Sequence, residues 1–226
     1  MLTDEPLDEK RDLAGADSFG ARQSSVLKTA LDLLVEGGDK GFTTARLARA
    51  ANCSKESLYR WFGDRDGLLA AMIAYQAGKV RIAEPAAGAP DADELRRLLT
   101  AFAGELLTVL SGPTSLALNR LAIGEAGNAD AKLGSLLMQR GRRVIEQRAA
   151  VLIEAGRTAG ILKFDDPLDA FNTLYGLIVG DLHVRMLLGD TVHETADRAA
   201  IDGQAVKAVN QFFRLYCAGE NSIQST

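Results

Sequence analysis

Two short stretches, 43–51 and 54–62, are patterned as helices and separated by one tight turn. Isolated helices of about two turns are unstable in water. These can form only by packing on each other and on a third element. Thr43-Thr44 offers an N-terminal cap for the first and Ser54 for the second, since a hydroxyl there accepts from an otherwise unpaired helical N–H. Asn52 tolerates the left-handed backbone that a tight turn needs. Leu47, Ala48, Cys53, Leu58 and Phe62 make a shared apolar underside, with small Ala48 where the helices cross. Upstream, Val26, Leu27, Ala30, Leu31, Leu34 and Val35 recur at helical spacing until Gly37 and Gly38. Downstream, Gly63 breaks the chain and Asp64 caps a third helix, through Leu68, Leu69, Met72 and Ile73 towards Ile82. The layout is that of a helix-turn-helix. Its second helix is short enough to lay its outer face, Lys55, Glu56, Ser57 and Arg60, in a DNA major groove.

The net charge of −4 argues at first against nucleic acid, but its distribution does not. Residues 1–20 hold two bases and six acids, residues 21–82 ten bases and six acids, and residues 83–226 fourteen bases and eighteen acids. Phosphate attraction decays over roughly 8 Å at physiological salt, so a local excess suffices. A solvated helical surface with a chance excess is the bland alternative, and charge alone does not decide.

The acidic residues 1–20 read as a mobile tail, and Pro85–Pro90, rich in Ala and Gly, as a linker. Beyond it every pattern is helical: about 91–110, from Pro113 to near Gly127, about 129–159, from Pro167 through Leu188, and about 193–217. No uncharged apolar run reaches eighteen residues and no secretory signal is visible. Cys53 and Cys217 read as reduced thiols of a cytoplasmic protein. Cys53 is more simply a small apolar residue than a redox switch.

The run Phe42-Thr43-Thr44-Ala45-Arg46-Leu47-Ala48-Arg49-Ala50-Ala51-Asn52-Cys53-Ser54-Lys55-Glu56-Ser57-Leu58-Tyr59-Arg60-Trp61-Phe62 closely resembles the TetR/AcrR family of transcriptional regulators. Thr44, Leu47, Ala48, Ala51, Ser54, Leu58, Tyr59 and Phe62 match the family pattern. Arg65 stands where a lysine is common. Asn52 for Gly, Cys53 for Val, Trp61 for His or Tyr, and Gly63 for Pro or Lys depart from it. The resemblance covers about Ala21 to Leu69; the rest matches in helical layout and looks most like the AefR-like C-terminal domains. It implies an all-α fold: a three-helix DNA-binding domain at 21–68, joined by a connecting helix to a larger effector-binding and dimerisation domain at 69–226.

By that resemblance the DNA-binding residues are Thr44, Lys55, Glu56, Ser57, Tyr59, Arg60, Trp61 and Arg65. Thr44 either caps its helix or meets a phosphate. Tyr59 lies at the flank of the buried face and is read as a phosphate contact; Trp61 divides between phosphate and packing. Ser57 is the best base-edge reader, because a small side chain lets the helix sit deep. Glu56 accepts from a cytosine amine or steadies its own helix start. The ligand-pocket candidates are Asn119, Arg120, Glu125 and Tyr175. The dimer-interface candidates are Gly176 and Gly180, small enough to permit close helix approach, with Val209 and Phe213 on the apolar stripe of the last helix; an ordinary intrachain core is the alternative.

The expected partners are operator DNA, a second copy of the chain and a small-molecule effector of unknown identity, with no membrane. No metal-ligand cluster, cofactor motif or nucleophile–base set appears, so neither cofactor nor enzyme activity is expected. The leading reading is a repressor released from a pseudo-palindromic operator by a small apolar or amphipathic ligand, acting through head-to-head spacing. The alternative is an architectural or partner-binding DNA-binding protein without an effector.

Overall fold

The computed structural model describes residues 19–83, 89–128, 132–190 and 198–218, with residues 39 and 40 described by backbone alone. Most of the acidic tail, residues 84–88 of the linker and the His193 start of the last helix lie outside the described residues. The named elements among them are all helical: α1 (Ala21–Gly41), α2 (Thr44–Ala50), α3 (Lys55–Phe62), α4 (Arg65–Ala77), α5 (Ala92–Ser111), α6 (Pro113–Glu125), α7 (Leu133–Leu136), a π-helical turn (Leu137–Arg142), α8 (Arg143–Thr158), α9 (Pro167–Val179), α10 (Leu182–Leu187) and α11 (Arg198–Tyr216).

The boundaries follow local chemistry. Thr43, Ser54, Asp64 and Asp166 each turn a side-chain oxygen onto a first-turn N–H of α2, α3, α4 and α9. Pro113 and Pro167 open α6 and α9, where a missing N–H costs nothing. Some helices differ from the sequence reading. Gly38 bends α1 with φ +57° and does not end it. α4 stops at Ala77, short of Ile82. The helix expected from Pro167 to Leu188 breaks at Gly180, at φ +50°.

The chain forms two compact units. One takes the chain up to Lys79 together with Gly112–Val144; the other takes Val80–Ser111 together with the chain from Ile145. In the first unit, Val26, Leu27, Ala30, Leu31 and Leu34 of α1 meet Leu47 of α2, Leu58 and Phe62 of α3, and Leu68, Leu69, Met72 and Ile73 of α4. Val35, read as inward, is 41% exposed. Leu118, Leu121 and Ala122 of α6 complete this core. Inside it the Gln76 amide donates to Ser115 Oγ at 3.3 Å, tying α4 to α6.

The second unit packs α5 against α11, with α9 and α10 beside them. Leu95, Leu99, Phe102, Phe171, Leu174, Val209 and Phe212 are its buried interior. Gly156 lets α8 close on this core, since a Cβ there would stand 2.5 Å from Leu95 Cδ2 and 2.8 Å from Leu162 Cδ1. The end of α11 is tied back to the loop after α8. Lys163 N–H donates to Tyr216 O at 2.8 Å and Ala218 N–H to Ile161 O at 3.0 Å.

His183 of α10 is half-buried among Leu107, Leu110, Val179, Leu182 and Met186, beside a void of about 10 Å³. Its Nδ1 has no hydrogen-bond partner. Burial pushes its pKa below the ordinary 6.5, and a hydrogen bond to the Leu110 backbone only partly opposes this. The unfolded chain therefore takes up the proton first. Stability should hold above 6.5, fall as pH drops below it, and level off beneath the lowered folded pKa. Urea unfolding midpoints across this range should show a shallower decline for His183→Gln than for the parent protein.

Candidate nucleic-acid interface

α3 is a short helix of the first unit, and its geometry is set from three sides. From within, Leu58 and Phe62 are buried at 3% and 8% exposure. At its start, Ser54 Oγ accepts from Ser57 N–H at 3.1 Å. Before that, the turn from α2 passes through Asn52 at φ +48°, the one non-glycine with a positive φ among the described residues. Cys53 is half-buried against the core, in keeping with a small apolar filler.

Arg22, which the sequence reading passed over, holds that turn. Its Nη2 donates to the carbonyls of Ala51 and Asn52, both at 2.8 Å. Nothing in the spacing of the sequence marks a contact between residues 22 and 52. At the far end, Gly63 leaves α3 at φ +77°, and Asp64 Oδ1 accepts from Gly67 N–H at 2.8 Å to start α4. A Cβ on Gly67 would stand 2.0 Å from the Phe62 carbonyl oxygen. The close return of α4 onto the last turn of α3 thus depends on a missing side chain. A glycine at the third position of an otherwise good helix was the available signal.

Lys55, Glu56, Tyr59 and Arg60 are exposed along α3, Tyr59 at 51%. Ser57 is half-buried, and its hydroxyl lies 3.2 Å from Ser54 Oγ and accepts from Arg60 Nη2 at 3.4 Å. The Glu56 carboxylate sits at the positive end of α3. Its own backbone N–H, then the Ser54 side chain, hold its pKa below the usual carboxylate value. Trp61 is half-buried, edge-on to Phe62 with ring centroids 6.2 Å apart. Thr44 is the first residue of α2; the cap is Thr43, whose Oγ1 accepts from Arg46 N–H at 3.2 Å. Arg65 is exposed at the start of α4 and pairs with Glu125 of α6, 3.5 Å away. Six of the eight residues therefore cluster on α3, while Thr44 and Arg65 open the helices before and after it.

The other two sets separate. Arg120 and Glu125 line an open cleft of about 540 Å³ in the first unit, with Leu34, Val35 and Leu121. The Asn119 amide donates along its own helix to Ser115 O at 2.8 Å. Tyr175 belongs to the second unit, its ring 5.8 Å from that of Phe171. Of the four, Arg120 and Glu125 line the same cleft. Of the interface residues, Gly176 and Gly180 are exposed, with nothing within 4 Å of an added Cβ. Val209 and Phe213 are corrected: at 0% and 3% exposure they are core of their own chain and have no surface left for a partner. Arg96 covers the Phe213 ring at 4.0 Å. Among the described residues no single helix is long and apolar enough to cross a membrane.

Comparison with known proteins agrees with this geometry. Residues 26–72 match the bacterial regulatory proteins of the tetR family, and residues 97–218 the C-terminal domain of AefR-like transcriptional repressors. A TetR transcriptional regulator from Agrobacterium tumefaciens has a similar structure, with 55% identity and TM-score 0.77, over 89% of this chain and 97% of that one. The flavonoid-responsive regulator FrrA is similar at 25% identity and TM-score 0.64, over 89% of this chain and 100% of its own. The HTH-type regulator YdeS of Bacillus subtilis is 25% identical over 177 residues, 76% of this chain and 81% of that protein.

Gly67→Ala should lower stability by about 2–3 kcal/mol, since the added methyl displaces backbone and not a yielding side chain. Denaturant titration checks this; an unchanged midpoint would show that α4 leaves α3 freely.

Proposed function

The chain belongs to the TetR family of bacterial transcription regulators, and from that premise we propose that it is a dimeric repressor released from a pseudo-palindromic operator by a small apolar or amphipathic ligand. One observation carries the DNA side: α3 buries Leu58 and Phe62 and turns Lys55, Glu56, Tyr59 and Arg60 outward on a helix of eight residues. A helix of that size enters a major groove and reaches only a few base pairs. Two copies supply the rest of the specificity when their reading helices stand about 34–36 Å apart. Exposed Leu168, Val184, Leu188, Val206 and Leu215 of the second unit, with Gly176 and Gly180 open to close approach, support a second copy there. This apolar set replaces Val209 and Phe213 in the proposed interface.

Lys55, Tyr59 and Arg65 are assigned to phosphates, which set affinity and register. Ser57, with Arg60 and Glu56 beside it, is assigned to base edges, which set discrimination. Thr44 and Trp61 sit at the margins of the same contact. Light scattering beside gel shift should show a dimer on a two-fold site selected from genomic fragments. Lys55→Ala should weaken binding to every duplex and reduce the salt slope by about one ion per head, while Ser57→Ala should change the preferred base. A monomer bound at full affinity to one half-site would sink the dimer, and altered preference with Lys55→Ala would reverse the roles.

The effector reading is supported by the similarity to a flavonoid-responsive regulator. A hydroxylated flavone is therefore the first probe. It should release the selected operator, and a second titration with the DNA-free protein should give saturable binding. The ligand acts by favouring a head spacing that the operator does not fit, which requires different affinities for the two spacings. A disulfide staple fixing the DNA-competent spacing should then weaken ligand binding and keep the protein on DNA.

A further inference from the structure

Arg65 is a cation at the first position of α4, two residues after the glycine that ends α3. A helix start carries partial positive charge, so a cation there is unfavourable unless anions compensate. The surroundings supply them. Asp64 caps the helix through Gly67 N–H, and Asp66 is held by Lys132 with Nζ to Oδ2 at 3.2 Å. Arg65 itself has Glu125, the last residue of α6, with Nη2 to Oε1 at 3.5 Å. The Glu125 side chain is 22% exposed and that of Arg65 44%. The carboxylate is therefore fixed against the protein, while the guanidinium stays reachable from solvent. A pair of this length and exposure is weak and is broken readily by a stronger anion.

We infer that Glu125 is an affinity-setting residue of DNA binding: its carboxylate competes with a DNA phosphate for the Arg65 guanidinium and holds the affinity of each head below what its cations alone would give. The inference rests on the reading of Arg65 as a phosphate contact. The competition is indifferent to sequence, because phosphates are the same at every base pair. It lowers affinity for the operator and for unrelated DNA together. Glu125 also lines the cleft beside Leu34, Leu121 and Arg120, so it joins the start of α4 to a surface that holds two of the ligand-pocket candidates.

The test is fluorescence anisotropy with a labelled mixed-sequence duplex and with a selected operator, over a salt series. The proteins are the parent, Glu125→Gln, Glu125→Asp, Arg65→Ala and the double variant Arg65→Ala with Glu125→Gln. Glu125→Gln should tighten binding to both duplexes by about two- to fivefold per head and steepen the salt dependence by up to about one ion per head. Glu125→Asp, which keeps the charge, should stay near the parent. In the Arg65→Ala background Glu125→Gln should do nothing. Equal tightening in that background would reduce the effect to general charge and overturn the inference, as would weaker binding by Glu125→Gln, which would make Glu125 a support for Arg65. A parent protein that binds no duplex would overturn the DNA reading itself. A parent that binds while Glu125→Gln matches it overturns only the competition.

Discussion

Helix α3 has no stability of its own. Eight residues make two turns, and a helix that short exists only while its apolar side is covered. Leu58 and Phe62 are the only two residues of α3 in the buried core, and five helices have to assemble to receive them. The Asn52 turn, the Arg22 hydrogen bonds across it and the space left open at Gly67 all serve that one burial. Each fixes where α3 enters or leaves the core. Anything that loosens the core of the first unit therefore reaches the exposed side chains of α3 without touching them.

The local rules were legible in the sequence because they act over a few residues. Ser54 and Asp64 cap helices; Asn52 and Gly63 take left-handed backbone; Pro113 and Pro167 open helices. The apolar stripes of α1 and α4 also told which face is buried, Val35 apart. What a stripe does not tell is which partner covers it. The stripe holding Val209 and Phe213 is compatible with a second copy or with a core of its own chain, and α5 of the same chain covers both residues. Leu118, Leu121 and Ala122 of α6 read as part of an effector domain, and they lie in one core with the helix-turn-helix. The division at residues 68/69 therefore describes proposed roles, while the compact units are divided by packing. Arg22 and Glu125 stayed hidden for a related reason: their partners are 29 and 60 residues away, and no periodicity encodes that.

Placing α6 in the first unit has a thermodynamic meaning. Its residues share a core with the reading head, so a shift of α6 changes the surroundings of Leu69, Met72 and the buried Gln76–Ser115 pair in one step. Close-packed interiors respond to such shifts by repacking and not by gradual deformation. The head is thereby sensitive to whatever moves α6, and that sensitivity needs no contact with α3 itself.

The tie between the end of α11 and the loop after α8 changes how that helix comes apart. Helix termini ordinarily fray, opening and closing on their own with little cost. Here the carbonyl of Tyr216 and the N–H of Ala218 are bonded to residues 161–163, which themselves lie beside the closely packed Gly156. The last turn cannot open alone; it opens with the seam. Amide hydrogens of Lys163 and Ala218 are consequently expected to exchange with solvent on the clock of the second unit.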